Sequence, residues 1–474
     1  MLEEELFELV DKVRNLRCEG QVLELKSAHG GCPKIYDTLS SFANQNQGGT
    51  IIFGIDETND YEVVGVYNAQ DLLHKISEQC NQMSPVVRGV TTECEIDGKT
   101  VVSLEIPPCE IFQRPVYYMG AGVLNGSYVR VGEADEPMTE YEVYSYQAYK
   151  EHKQDDIRKA YSGAEKYLDN NAILKYLDSV RRNRPNTQNL SDDELLELMG
   201  VYKDGCPTIS AVMCFSKYPQ ALYPQLCITA VVVPGYEMGD TDENNGRFID
   251  NKRIEGTIPE MLEGAMNFVI RNIRTSIAFV DGRRVDKFEY PLVAIREAIL
   301  NALVHRDYSI YTEGMPIRIE IYKDRIEIVN SGGLYGAFSF SEDRIRADTR
   351  NKTLVAILEA MDVVENRYSG IPTIYKLTKE AGLKTPMFVN DRGNFKTVIF
   401  NGEKRVSSVQ NDLEDKLVEF CNVPRTKKEI AEFVNKTQYY AMKKYVEPLV
   451  ARGLLAYTLP DKPKSKLQRI FSVR

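Results

Sequence analysis

Residues Glu297–Tyr308 read EAILNALVHRDY, and this stretch decides how the chain is organised. Pro291 suits a helix start, where a missing N–H costs no intrahelical bond. From Leu292 to Val304 the sequence is apolar nearly all the way round, which marks a buried helix. Glu297, Asn301 and His305 fall at steps of four along it, and Tyr308 comes near the same azimuth about three turns on. A buried helix with a polar stripe must satisfy that stripe with something. An internal hydrogen-bond network is one answer. Four polar residues in register point instead to a polar ligand such as a metal-bound phosphate.

The sequence after this helix supplies the rest of such a site. Two strands, Met315–Tyr322 and Arg325–Val329, are joined by a turn at Lys323-Asp324, and the second runs into Asn330-Ser331-Gly332-Gly333. Thr349-Arg350-Asn351-Lys352 precedes a helix over Thr353–Met361, and Ser369-Gly370 opens another. The last strand, Phe395–Phe400, carries Lys396 and Thr397. A helix bearing Glu and Asn, a Gly-rich turn after a strand, and a Ser-Gly loop at a helix start together suit a nucleotide. The helix stripe holds Mg²⁺ and water, and backbone N–H groups hold phosphate oxygens. Arg350 or Asn351 reaches a phosphate in this scheme, and Lys396 neutralises one.

Over roughly Thr208–Asn401 this pattern resembles the GHKL ATPases, the group that includes gyrase and the histidine kinases. It is most similar to the branch found in transcriptional regulators and labelled after the RecG helicase C-terminus. The resemblance implies that Glu297 orients or deprotonates the attacking water and that Asn301 coordinates Mg²⁺. His305, Arg306, Asp307 and Tyr308 match the extended motif of the regulator branch. It also implies that Asn330, Gly332, Gly333, Ser369, Gly370 and Thr397 line the ATP site with His305, Arg350 and Asn351. Two departures stand out. Asn330 replaces the usual Asp that meets the adenine amino group; its carbonyl oxygen still accepts, but the charge is gone. Tyr368 stands where a first loop glycine is expected, which stiffens the loop and points to slow ATP turnover.

The N-terminal third has its own pattern. An amphipathic helix over Met1–Asn15 is followed by a strand in which Glu24 and Lys26 share a face. Further on come a helix over Tyr36–Ala43, the strand Thr50–Ile55 ending at Asp56, a helix over Ala69–Gln79, and a hairpin around Asp97-Gly98. The ordered set Glu19…Glu24-x-Lys26, Ser41-Phe42-Ala43-Asn44, Gly48–Asp56 and Tyr128-Val-Arg130-Val-Gly132 resembles the Schlafen AlbA-type domain over roughly Glu19–Tyr149. That resemblance implies nucleic-acid binding, with Lys26 and Arg130 as contacts. Through the Schlafen ribonucleases it also implies a metal-binding catalytic cluster of Glu19, Glu24 and Asp56. Three carboxylates can hold a divalent cation that activates water beside a phosphodiester. The alternative is that Glu24 pairs with Lys26 and Asp56 caps a turn.

Residues 151–205 form a charged, Tyr-rich connector, expected to be helical, with a capping box at Ser191–Glu194. Buried strands are expected at Ala211–Phe215 and Leu226–Val233, and a long amphipathic helix at Thr257–Ile273. After a polar linker, three short helices and a basic hairpin match a winged helix with Gln438–Arg452 as recognition helix. Lys436, Gln438, Tyr439, Lys443 and Lys444 would face DNA, and Lys464 on the hairpin tip would meet phosphate.

Composition sets the frame. The chain has 474 residues, enough for about three domains, with 43% hydrophobic and 27% charged residues, as in an ordinary soluble protein. A net charge of −10 argues against wholesale coating of nucleic acid but leaves room for a local basic module. Four histidines and nine cysteines without CxxC pairing exclude a His/Cys zinc site and read as reduced thiols in a cytoplasm. No apolar run reaches membrane-span length, and Met1–Val10 lacks the form of a signal peptide.

The expected architecture is multidomain α+β. It comprises an AlbA-like mixed α/β domain at 1–150, a connector at 151–205, a GHKL-like α/β sandwich at 206–402 and a winged helix-turn-helix at 409–474. The expected function is an ATP- and Mg²⁺-dependent DNA-binding regulator, a homodimer or higher homo-oligomer in which nucleotide controls domain arrangement. The alternative is a Schlafen-like metal-dependent nuclease gated by nucleotide, acting on RNA or DNA in phage defence. A purely structural assembly subunit is the third reading.

Overall fold

Helix α1 (Glu3–Leu16) places Leu6, Val10 and Val13 on one side, and this apolar stripe is buried against a four-stranded sheet. The computed structural model that shows this describes residues 1–16, 20–280, 283–336, 349–364, 370–402, 416–434, 438–451, 454–458 and 469–472. The sheet contains β1 (Leu23–Lys26), β2 (Gly49–Phe53), β3 (Val90–Ile96) and β4 (Lys99–Ile106) in the order β1-β2-β4-β3. β1 and β2 run parallel and the other pairs antiparallel. Strand alternation sends Ile52 toward α1 and sends Ile51 and Phe53 toward α2 (Tyr36–Asn44) and α3 (Ala69–Asn81), so β2 is covered on both faces. Asp97 and Gly98 both take positive φ, 51° and 73°, the backbone that a two-residue hairpin turn needs.

A ribbon of β5 (Tyr128–Val131) and β6 (Ala134–Pro137) packs on α2 and leads into α4 (Glu140–Lys150). α4 is opened by a capping box of Thr139 and Glu142. The connector is less helical than expected. Residues 155–157 and 164–167 are single 3₁₀ turns, and only α5 (Asn170–Asn183) and α6 (Asp192–Leu198) are α-helices. The Ser191–Glu194 capping box forms as read. Ala211–Phe215 is not a strand. It belongs to α7 (Ile209–Phe215), whose first turn is held by Thr208 accepting the Ala211 N–H. A short apolar run has no period of its own to separate a buried strand from a buried helix.

The second sheet has six strands: β7 (Ile228–Val232), β8 (Asp250–Ile254), β9 (Ile317–Ile321), β10 (Arg325–Ser331), β11 (Met387–Asp391) and β12 (Asn394–Phe400). Their order is β8-β7-β9-β10-β12-β11, with β7 and β9 the one parallel pair. Helices α8 (Ile258–Asn272), α9 (Leu292–His305), α10 (Lys352–Ala360) and α11 (Gly370–Glu380) accompany this sheet. α9 is the buried helix predicted from EAILNALVHRDY: Ala294, Ile295, Ala298, Ile299, Leu303 and Val304 all lie inside. It stops at His305, so Tyr308 does not share the stripe. Its ring is buried and its hydroxyl donates to the Leu303 carbonyl.

The core under this sheet takes in connector residues as well, among them Ala164, Ile173, Leu177, Val180 and Leu195. Buried Asp156 caps α10 from the connector, accepting the N–H groups of Thr353 and Leu354 at 3.0 and 3.1 Å.

By its internal contacts the chain divides into two units, Met1–Asn401 and Gly402–Arg474. The second has its own core. It contains a helical stretch at 416–420, α12 (Lys427–Phe433) with a Thr426–Glu429 capping box, and a helical run at 438–451 broken by a π-turn at Met442–Val446. Three short strands, at Arg425–Thr426, Leu455–Tyr457 and Arg469–Ser472, complete it as an antiparallel sheet. The protein is thus multidomain α+β. No helix among the described residues is long and apolar enough to cross a membrane.

Candidate nucleotide site

The polar stripe of α9 opens onto a cavity of about 580 Å³ that reaches from α9 to the ends of β10 and β12 and to the start of α11. Its size lies within the range of small-molecule sites. Glu297, Asn301 and His305 line it from α9, Asn330 and Gly332-Gly333 from the end of β10, and Thr397 from β12. Arg350 and Gly370 close it. Residues from five separate stretches of the sequence therefore meet at one place. Of the remaining site residues, Ser369 lies outside the described residues, and Asn351 does not reach the cavity wall. The Asn351 amide is fully buried and donates to the Val304 and Arg306 carbonyls at 2.7 and 2.8 Å, closing the C-terminal end of α9. Lys396 points away from Thr397 by strand alternation and pairs with Glu327 at 3.0 Å.

Two glycines lie at close approaches. A Cβ at Gly370 would stand 2.5 Å from Glu297 Oε1 and 2.8 Å from Asn301 Nδ2, so the first turn of α11 rests directly on the α9 stripe. Gly332 has φ of +102°, and a Cβ there would meet the Asp307 backbone nitrogen at 2.7 Å. That turn is further pinned by the Gly332 N–H donating to the Gly393 carbonyl and the Leu334 N–H donating to Asn390 Oδ1.

The electrostatics of the wall centre on Arg350. Its side chain is 5% exposed, and Nη1 meets Asp307 Oδ2 at 2.6 Å, with Asp307 fully buried. Nη2 donates to the Gly333 carbonyl at 3.3 Å, and the guanidinium lies 4.9 Å from the centre of the Tyr335 ring. Arg350 Nε is buried and has no hydrogen-bond partner among the described residues. The same holds of Arg130 Nε and Arg158 Nε, so it is the place of the Arg350 guanidinium in the cavity wall that suits an anionic oxygen. His305 is exposed on the cavity side, and the protein atoms crowding this wall together with the nearby Arg350 disfavour its charged form, bringing its pKa below the ordinary histidine value to about 4. Asp307 and Tyr141 were not singled out as site residues from sequence. They meet across 166 residues, the Tyr141 hydroxyl donating to Asp307 Oδ2 at 2.8 Å, and no local pattern signals such a pair.

The N-terminal polar set is arranged differently. Glu24 Oε2 meets Arg130 Nη2 at 2.8 Å, and Glu24 Oε1 meets Lys26 Nζ at 2.5 Å. Arg130 is almost wholly enclosed. It also pairs with Asp135 at 3.0 Å, and Nη2 reaches the Gly20 and Leu23 carbonyls. Asp56 Oδ1 accepts from the Thr58 N–H and hydroxyl, capping a 3₁₀ turn. Glu19 lies outside the described residues. Among the described residues, no three His, Cys, Asp or Glu side chains stand where they could hold a metal ion. In the C-terminal unit Gln438 and Lys443 are exposed on the 438–451 run. Lys436 and Lys464, and the side chains of Tyr439 and Lys444, lie outside the described set.

The comparisons agree with this layout. Residues 19–139 match the family model "Schlafen, AlbA_2", and residues 314–400 match "Putative ATP-dependent DNA helicase recG C-terminal". The second match begins downstream of α9 and so does not take in Glu297 or Asn301. The crystal structure of the DIP2311 protein from Corynebacterium diphtheriae is 17% identical with a TM-score of 0.39, covering 94% of this chain and 92% of that one. The solution structure of the N-terminal domain of a RecG-related protein from Nitrosomonas europaea is 22% identical with a TM-score of 0.23, over 28% of this chain and 92% of that one. No curated protein matches the sequence. The chain thus carries an AlbA-type domain and an ATPase-like domain, a composition related to nucleotide and nucleic-acid binding.

Proposed function

We propose that this chain is an ATP-binding, nucleic-acid-binding regulator in which Mg-ATP in the α9 cavity controls domain arrangement or oligomerisation. The carrying observation is the meeting of Glu297, Asn301, Asn330, Gly332, Gly333, Arg350, Gly370 and Thr397 on one cavity. Asn330 and Thr397 face the base, and Arg350 with the first turn of α11 faces phosphate oxygens. Asn301 would hold Mg²⁺, which would supply neutralisation of phosphate charge there. Glu297 orients water, and a neutral His305 adds no charge of its own. Calorimetry with Mg-ATP on the full chain and on Asn301→Ala tests this. The variant is expected to bind about ten-fold or more weakly, as for loss of a contact to a charged group. Equal affinities would remove the metal role of Asn301.

The C-terminal unit is read as a winged helix that supplies the DNA contact, on the strength of its capped helix, the 438–451 run and the three-stranded sheet. A labelled DNA duplex should be retained by the full chain with affinity that falls steeply as salt rises. No retention even at low salt would sink this part. The enclosure of Arg130 and the pairing of Glu24 favour a structural role for the N-terminal polar set over metal-dependent cleavage.

A further inference from the structure

Arg350 is supported by two groups, and each is touched in turn by the N-terminal domain. Asp307 bears the ion pair to Arg350 and accepts the Tyr141 hydroxyl on the same oxygen, Oδ2. Its other oxygen accepts the Ser309 N–H at 2.7 Å. Tyr335 lies against the guanidinium on another side, and the Tyr149 ring packs edge-on against Tyr335 with centroids 5.1 Å apart. Tyr141 and Tyr149 both belong to α4. The same helix is anchored beside the cavity wall by Arg392, which reaches Glu136 and Glu142 from the β11–β12 turn. Neither Tyr141 nor Tyr149 lines the nucleotide cavity.

We propose that α4 is a positioning element of the nucleotide site, with Tyr141 and Tyr149 fixing the two groups that set the pose of Arg350. The inference rests on the reading that the cavity takes ATP. An arginine side chain gives up rotamer freedom when it clamps phosphate, and a guanidinium already held loses less on binding. Asp307 alone could let the guanidinium swing, because a carboxylate held by one backbone N–H keeps freedom about its side-chain torsions. The Tyr141 hydroxyl removes that freedom and shares the buried negative charge with Arg350. The effect therefore belongs to the phosphates and not to the base. By thermodynamic reciprocity, a nucleotide that engages Arg350 also tightens the seat of α4.

The experiment is calorimetry on the full chain with Mg-ATP and, separately, adenosine. Tyr141→Phe keeps the ring and removes one hydrogen bond, so Mg-ATP affinity should fall about five-fold while adenosine affinity stays put. Tyr149→Leu should show the same selectivity. Tyr144→Phe is the control, since its hydroxyl donates to Asp155 from the same helix, and it should move neither ligand. In Arg350→Lys the phosphate clamp is already lost, so adding Tyr141→Phe should cost nothing more. An unchanged ratio of ATP to adenosine affinity in Tyr141→Phe, or losses that simply add in the double variant, overturns the positioning role. Wild-type protein that binds no Mg-ATP overturns the proposed function, and this inference with it.

Discussion

Two polar constellations dominate the 1–401 unit, and they resolve in opposite ways. On α9, Glu297, Asn301 and His305 face a cavity whose wall also holds Arg350. Around β1, Glu24, Lys26, Arg130 and Asp135 neutralise one another, with Arg130 shut in by the group. Each set starts from residues that regular spacing puts on one face, Glu297, Asn301 and His305 on α9 and Glu24 and Lys26 on β1. What separates them is that ion pairs between separate strands close the β1 set, whereas the α9 stripe lines a cavity. An ion-paired cluster enclosed by the fold serves stability, whereas polar groups on a cavity wall lie within reach of a ligand.

Substitution should expose that contrast, most strongly at Arg130. Arg130→Ala leaves Glu24 and Asp135 partly buried beside an empty site, an uncompensated arrangement that costs about 3–5 kcal/mol for a buried pair. Urea denaturation should show this loss while Mg-ATP affinity is retained; unchanged stability would mean that the cluster is not a structural tie. Asn301→Ala should do the reverse, losing about ten-fold or more in Mg-ATP affinity with stability within about 1 kcal/mol of wild type. The smallest effect is at His305. Its folded pKa of about 4 lies below the ordinary histidine value, so the unfolded chain binds the proton more readily between the two. Stability therefore falls as pH drops through that window. His305→Gln should flatten this limb of the urea midpoint against pH, and a slope identical to wild type would show that the ring titrates freely.

These three positions also show what was legible beforehand. The four-residue step of Glu297, Asn301 and His305 was visible because α9 is long and otherwise apolar, which makes polar exceptions conspicuous. The capping box at Ser191–Glu194 is legible because its chemistry is local. The Ala211–Phe215 run was misread as a strand although Thr208, its cap, stood immediately before it. Tyr308 was set on the stripe by extending a helical azimuth past the helix end at His305. The strand Met387–Asp391 and the hairpin pairing Thr275–Val280 with Arg283–Phe288 were not read at all. The AlbA resemblance implies Lys26 and Arg130 as nucleic-acid contacts, and a sequence does not show the carboxylates that meet them in the fold. Nothing local could have paired Tyr141 with Asp307, or made Asn351 a clamp on the end of α9.

The connector has a consequence for how this chain can be divided. Ile173, Leu177, Val180 and Leu195 sit in the same core as Ile299, Ile319 and Ile357, and Asp156 caps α10 from nearly two hundred residues away. Residues 155–199 are thus a structural part of the nucleotide-binding fold and not a tether between modules. A fragment that starts at the strands would carry an open apolar wound and a helix without its cap. Recombination or trimming that treats the stretch as a spacer cuts through a core, so the smallest portable piece has to begin upstream of Asp156.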